Sequence, residues 1–97
     1  MYALAIVRYR KPMDVIETVL AAHRAYLLDL KNRGILLASG PLDPRSGGAV
    51  LFRVPDEGYD AFLDRIRDED PFTRAGVAQY EILPWNPNFG REALDTL

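Results

Sequence analysis

The chain opens on a run in which neither face is polar. Tyr2, Leu4 and Ile6 alternate with Ala3, Ala5 and Val7, which predicts a strand over Tyr2–Tyr9 that is apolar on both sides. After Lys11-Pro12 the period lengthens. Ile16, Leu20, His23, Leu27 and Leu30 return at helical spacing and share one face, predicting a helix from about Asp14 to Arg33 with Gly34 as its left-handed stop. A short apolar run, Ile35–Ser39, is predicted to break at Gly40-Pro41, and Asp43 to Gly48 has the composition of a loop. The partner strand of this hairpin follows at Ala49–Val54. A second helix begins at Pro55-Asp56, with Asp56 as its N-cap and Tyr59, Phe62, Leu63 and Ile66 facing inward. Asp70-Pro71 then reads as cap and first residue of a short helical turn that Gly76 ends. Val77–Leu83 is the last strand, before a tail holding Trp85, two prolines and Phe89.

This order is βαββαβ, the ferredoxin-like α+β arrangement, with a four-stranded antiparallel sheet and its helices on one face. The expectation is a single domain over residues 1–97, with a core of about 2–85 and a tail of 86–97. Two helices cover only one face of such a sheet. The first strand is apolar on both faces, and the third offers Val50, Phe52 and Val54 on one and Ala49 and Leu51 on the other. An apolar face rarely left in water therefore remains, and a homodimer through the open sheet face is expected.

Composition narrows the function classes. The net charge is −2 and the charged residues, 27% of the chain, mix both signs, so no basic face is available for nucleic acid or an anionic membrane. No stretch approaches the roughly 20 apolar residues of a membrane span, and the N-terminal run lacks the basic start of a signal peptide. There is no cysteine, which removes disulfides, thiolate catalysis and zinc-thiolate sites. A cytoplasmic protein acting on a small molecule is the expectation.

Candidate chemistry centres on the only histidine. His23 lies on the apolar stripe between Leu20 and Leu27, an unusual place for the one side chain that titrates near neutral pH. Helix geometry allows either a core histidine satisfied by one hydrogen bond or a general base at the edge of a cleft. A base needs a partner to fix its tautomer, and the acidic run Asp68-Glu69-Asp70 offers candidates. Asp70, held at a helix cap, would be a rigid acceptor, although capping alone also explains it. Ser39, Gly40 and Pro41 at a strand end read either as a bulge or as a close backbone approach to a ligand. One histidine among carboxylates has no diagnostic ligand spacing, so neither a metal nor another cofactor is expected. Ser46-Gly47-Gly48 is not a phosphate loop, and no serine sits in a nucleophile elbow.

Taken together, His23-Arg24-Ala25-Tyr26-Leu27, Gly34 through the Ser39-Gly40-Pro41 triplet, Gly47-Gly48, Asp68-Glu69-Asp70-Pro71-Phe72 and Ala75-Gly76-Val77 resemble the YciI-like, or YCII-related, family. The resemblance spans Tyr2 to about Trp85. It implies a dimeric α+β barrel and an active-site pair formed by His23 and Asp70, with Ser39, Gly40, Pro41 and Phe72 at the substrate. It also implies a lyase- or isomerase-like enzyme, dehydrochlorination of a chlorinated hydroxyquinol being the activity attributed within the family. Many members carry an arginine shortly before the histidine. Thr18 to Ala22 has none here, and Arg8, Arg10 and Arg24 are the substitutes at hand. The rival reading is a non-catalytic dimeric metabolite-binding or accessory domain, in which the same pair would only anchor a ligand.

Overall fold

A computed structural model describes all 97 residues. The two-faced N-terminal run becomes strand β1 (Tyr2–Tyr9), which lies inside the sheet with neighbours on both sides. Helix α1 (Met13–Asn32) follows, then the antiparallel strands β2 (Leu36–Pro41) and β3 (Gly47–Arg53). Helix α2 (Tyr59–Glu69) and the single turn α3 (Pro71–Arg74) lead into strand β4 (Ala78–Trp85). The sheet order is β2-β3-β1-β4 and every pairing is antiparallel, which is the ferredoxin-like α+β topology.

Strand register sorts the side chains. Ala3, Ala5 and Val7 stand opposite Phe52, Val50 and Gly48 on one side and Pro84, Ile82 and Tyr80 on the other. This is the helix-covered face. Ala3, Ala5, Val50 and Phe52 join Leu30, Leu63 and Ile66 in the larger buried cluster. A smaller cluster, Val7, Ile16, Phe72, Val77 and Ala78, lies toward α3, and Tyr80 packs against both. On the opposite face Leu4 stands between Leu51 and Leu83, and Ile6 between Ala49 and Glu81. Leu83 and Trp85 are 44% and 39% exposed there, so a large apolar surface has no cover within the chain.

The hairpin departs from its predicted bounds. Gly40-Pro41 does not end β2, because β2 is an edge strand and a missing N–H on its outer side costs no ladder hydrogen bond. The irregularity lies earlier, between Leu36 and Ala38. Gly47 and Gly48 belong to β3 rather than the loop, and the first is there for space. A Cβ on Gly47 would sit 1.8 Å from the Val7 carbonyl oxygen, a backbone atom that cannot step aside. Gly47→Ala is therefore expected to push β3 off β1 and destabilise the fold by about 1–3 kcal/mol or more, read by urea unfolding. An unchanged unfolding midpoint would contradict the close approach.

Two helix starts also differ. The first residue of α2 is Tyr59, with Gly58 in the left-handed region before it, and Asp56 does not cap it. Asp56 instead binds the N-terminal ammonium at 2.5 Å, and that charge holds its carboxyl below the usual range. Gly34 ends α1 as expected, with φ of 75° and its N–H donating to the Lys31 carbonyl. The tail contains a short helix, α4 (Arg91–Asp95), that the sequence pattern did not announce. It folds over one end of the otherwise open sheet face. The Tyr2 hydroxyl donates to Asp95, the Arg91 guanidinium lies over the Tyr2 ring, and Arg53 donates to the Leu94 carbonyl. No helix is long and apolar enough to cross a membrane.

Candidate active site

Helix periodicity puts Ile16, His23 and Leu30 two turns apart on the buried seam of α1. His23 is thus carried into the space beneath α3. There Asp70 caps the helix that Pro71 starts, and its Oδ1 accepts the Phe72 backbone N–H at 2.9 Å. The same oxygen lies 2.8 Å from His23 Nδ1. The second oxygen accepts the Tyr80 hydroxyl. Asp70 is completely buried, and the Phe72 N–H, the Tyr80 hydroxyl and His23 Nδ1 converge on its two oxygens. A carboxylate can only accept, so Nδ1 carries the proton and donates it to Asp70. The imidazole is held in the Nδ1–H tautomer, with Nε2 left as the nitrogen bearing a free lone pair.

Phe72 fixes this arrangement twice over. Its backbone N–H anchors Asp70, and its ring lies flat on the imidazole, with centroids 3.8 Å apart and planes 7° from parallel. Tyr9 meets the far part of the Phe72 ring edge-on at 5.9 Å. Phe72 is only 1% exposed, yet it lines the same cleft as His23, where it was expected at the substrate. Burial, reinforced by the negative charge and hydrogen bond of Asp70, pushes the Tyr80 hydroxyl far above its ordinary range, so it remains a donor. Tyr26, which donates to the Ile66 carbonyl at 2.9 Å, is pushed up to about 12 by burial and then by the charges of Glu69 and Asp70.

His23 opens onto a cleft of about 380 Å³ between α1 and the β2–β3 hairpin. Leu20 and Leu27 form its helical wall, and Val7, Tyr9 and Val50 line the sheet side. Ser39, Gly40 and Pro41 lie along its other edge, where the resemblance places them. Ladder alternation distinguishes these three. Val54 donates to the Met1 carbonyl on the β1 side, whereas Leu42 donates to Gly47 and Arg53 to Ile35 on the β2 side. Gly40, opposite Ala49, is therefore in a hydrogen-bonded pair, and its N–H is spent inside the sheet. Ser39, opposite Val50, faces the outer edge of β2 and keeps both its backbone N–H and its hydroxyl for a ligand. A Cβ on Gly40 would meet nothing within 4 Å, so the fold itself does not demand glycine there.

Of the acidic run, only Asp70 reaches the histidine. Asp68 turns to Arg67 on the surface at 2.9 Å. Arg8 pairs with Glu81 on the open sheet face and Arg10 donates to Gln79, which leaves Arg24 as the substitute that lines the cleft. Tyr80 and Arg45 were not singled out from the sequence. The alternation Ala78, Tyr80, Ile82 does mark Tyr80 as a hydroxyl on the helix-covered face, which must find an acceptor. Arg45 carries no comparable signal, because only the hairpin's folded course brings its loop beside α1.

Comparison with known proteins bears on the fold and the family. No curated protein matches the chain significantly. Among solved structures, it is similar to 5-chloro-2-hydroxyhydroquinone dehydrochlorinase from Burkholderia phenoliruptrix in complex with 2,5-dihydroxybenzoquinone, with a TM-score of 0.74 and 25% identity. The alignment covers 91% of this chain and 96% of that one. The YCII-related domain matches residues 1–86, everything from β1 through β4, and the chain therefore belongs to the YCII-related family.

Proposed function

We propose that the protein is a lyase-like enzyme in which His23 Nε2 removes a proton from a small cyclic or phenolic substrate bound in the cleft. The observation that carries this reading is the Nδ1–Asp70 hydrogen bond, which orients the ring and leaves Nε2 toward the cleft. Asp70 keeps its hydrogen bond to Nδ1–H throughout, so the ring does not turn as Nε2 takes the proton. Ser39, with its hydroxyl and edge N–H, would donate to the oxygen on which negative charge develops; one such donor is worth roughly 3 kcal/mol. On a chlorinated hydroxyquinol, the proton passes to Nε2 while the electron pair shifts through the ring and chloride leaves. Loss of H⁺ and Cl⁻ balances as loss of HCl, and no oxidant is needed. The dehydrochlorinase activity of the similar structure supports this class of reaction. Incubation with 5-chloro-2-hydroxyhydroquinone, the compound that names that enzyme, should release chloride in proportion to protein. Tight binding of hydroxylated rings without turnover of any of them would contradict the base and leave a metabolite-binding module.

The working unit in this proposal is a homodimer joined through the open sheet face. Leu4, Ile6, Leu51 and Leu83 supply its apolar centre and the exposed Arg8–Glu81 pair its rim. Light scattering at micromolar concentration should give twice the chain mass of 10.9 kDa, and Leu83→Glu should give a folded monomer. A wild-type monomer at that concentration would overturn the dimer.

A further inference from the structure

The cleft carries an asymmetry of charge that the base chemistry does not use. In a chain with a net charge of −2, its lining includes two arginines and no carboxylate. Arg24 comes from α1, next to His23, and Arg45 comes from the loop between β2 and β3. Elsewhere in the chain Arg8, Arg33, Arg67 and Arg91 have carboxylate partners, Arg10 donates to Gln79, Arg53 donates to carbonyls, and Arg65 lies over Phe62. Arg74 is unpaired as well, but it does not line the cleft. Arg24 and Arg45 make no ion pair and no side-chain hydrogen bond. Two free guanidinium groups on different walls of one concave, half-apolar site concentrate positive potential there, and their planar donor forks match the oxygens of a carboxylate or a delocalised enolate.

We propose that the substrate is an anion before it reacts: a small ring compound, ionised at neutral pH on a carboxylate or on conjugated ring oxygens, whose charged group is held by Arg24 and Arg45. Its uncharged ring lies against Leu20, Leu27 and Val50, and its reacting proton faces His23. This inference rests on the cleft being the substrate site and adds what the substrate must carry. It also supplies what proton removal requires. Taking a proton from an anion builds a second negative charge, and the two guanidiniums offset that charge within the cleft.

The test compares two probes by calorimetric titration: 2,5-dihydroxybenzoquinone, which is ionised at neutral pH, and hydroquinone, which is neutral and of similar shape. For the wild type, anion affinity should exceed that of hydroquinone and fall as salt rises. Arg24→Gln and Arg45→Gln should each weaken anion binding by roughly tenfold, the effect of losing one hydrogen bond to a charged group, and the double variant by roughly a hundredfold. Hydroquinone affinity should stay the same in all of them. Both arginines are exposed, so the variants should keep the wild-type circular dichroism spectrum. Unchanged anion affinity in the double variant, or equal losses for both probes, would overturn the charge proposal and leave the His23 base standing. Failure of the wild type to bind either ring would overturn both.

Discussion

Asp70→Ala is expected to cost about 3–5 kcal/mol of folding stability, because it leaves several buried donors without an acceptor at about 1–3 kcal/mol each. Three losses coincide at this residue. The α3 cap disappears, the His23 Nδ1–H loses its acceptor, and the Tyr80 hydroxyl is left buried without a partner. Against a total of about 5–15 kcal/mol, such a loss leaves a marginal protein. With a urea slope of about 1–3 kcal/mol per molar, the unfolding midpoint should fall by roughly 2 M. Asp70→Asn separates the parts of this effect. Its amide oxygen still accepts from Phe72 and His23, and its NH₂ group can donate to the Tyr80 oxygen. The Phe72 and His23 bonds survive, but the charge is lost and the Tyr80 O–H no longer has an acceptor, so about 1–2 kcal/mol should be lost. Less than 1 kcal/mol for the alanine variant would mean that the three bonds do not hold the site together.

The second large effect is on rate. His23→Asn should lower turnover of any substrate whose proton must be removed by about 10²–10⁴-fold, the usual contribution of a positioned general base. Asparagine is the informative choice. Its amide nitrogen takes the place of Nδ1 and can donate to Asp70, whereas alanine would open a gap against the Phe72 ring and leave Asp70 short of a donor. The asparagine variant should keep its fold, its dimer and its affinity for ring anions while losing chemistry. A fall in kcat with little change in KM is the expected signature. Undiminished turnover would remove His23 from the mechanism.

Much of this architecture was legible before any coordinates, for identifiable reasons. The two-faced β1 strand, the helical stripe through His23 and the Asp-Pro start of α3 are local signals, each written in a few adjacent residues. They were sufficient for the βαββαβ order of elements and for naming a capping aspartate as one candidate partner; its pairing with His23 came from the family resemblance. Four features escaped because their causes are tertiary. Pro41 continues β2 because that strand is at an edge, a property of sheet order and not of the tripeptide. Gly47 belongs to β3 because the Val7 carbonyl leaves no room for a side chain, which requires β1 and β3 to be paired first. Gly40 spends its N–H inside the ladder while Ser39 does not, a difference that only register reveals. The tail helix α4 is held by Tyr2 and Arg53, residues far from it in sequence, and no pattern within the tail announces it.

At the site itself, the sequence left His23 open between a satisfied core residue and a base. The geometry joins both descriptions: Nδ1 is satisfied inside the protein, and Nε2 has no protein partner. The account depends on that division between the two nitrogens. As the chain has a single histidine, one imidazole accounts for the whole ring-nitrogen spectrum. Long-range ¹H–¹⁵N NMR of the neutral ring should find its proton on Nδ1 and an unprotonated Nε2, and Asp70→Ala, which removes the acceptor, should abolish that preference. A neutral ring protonated on Nε2 in the wild type, or a tautomer indifferent to Asp70→Ala, would contradict the account.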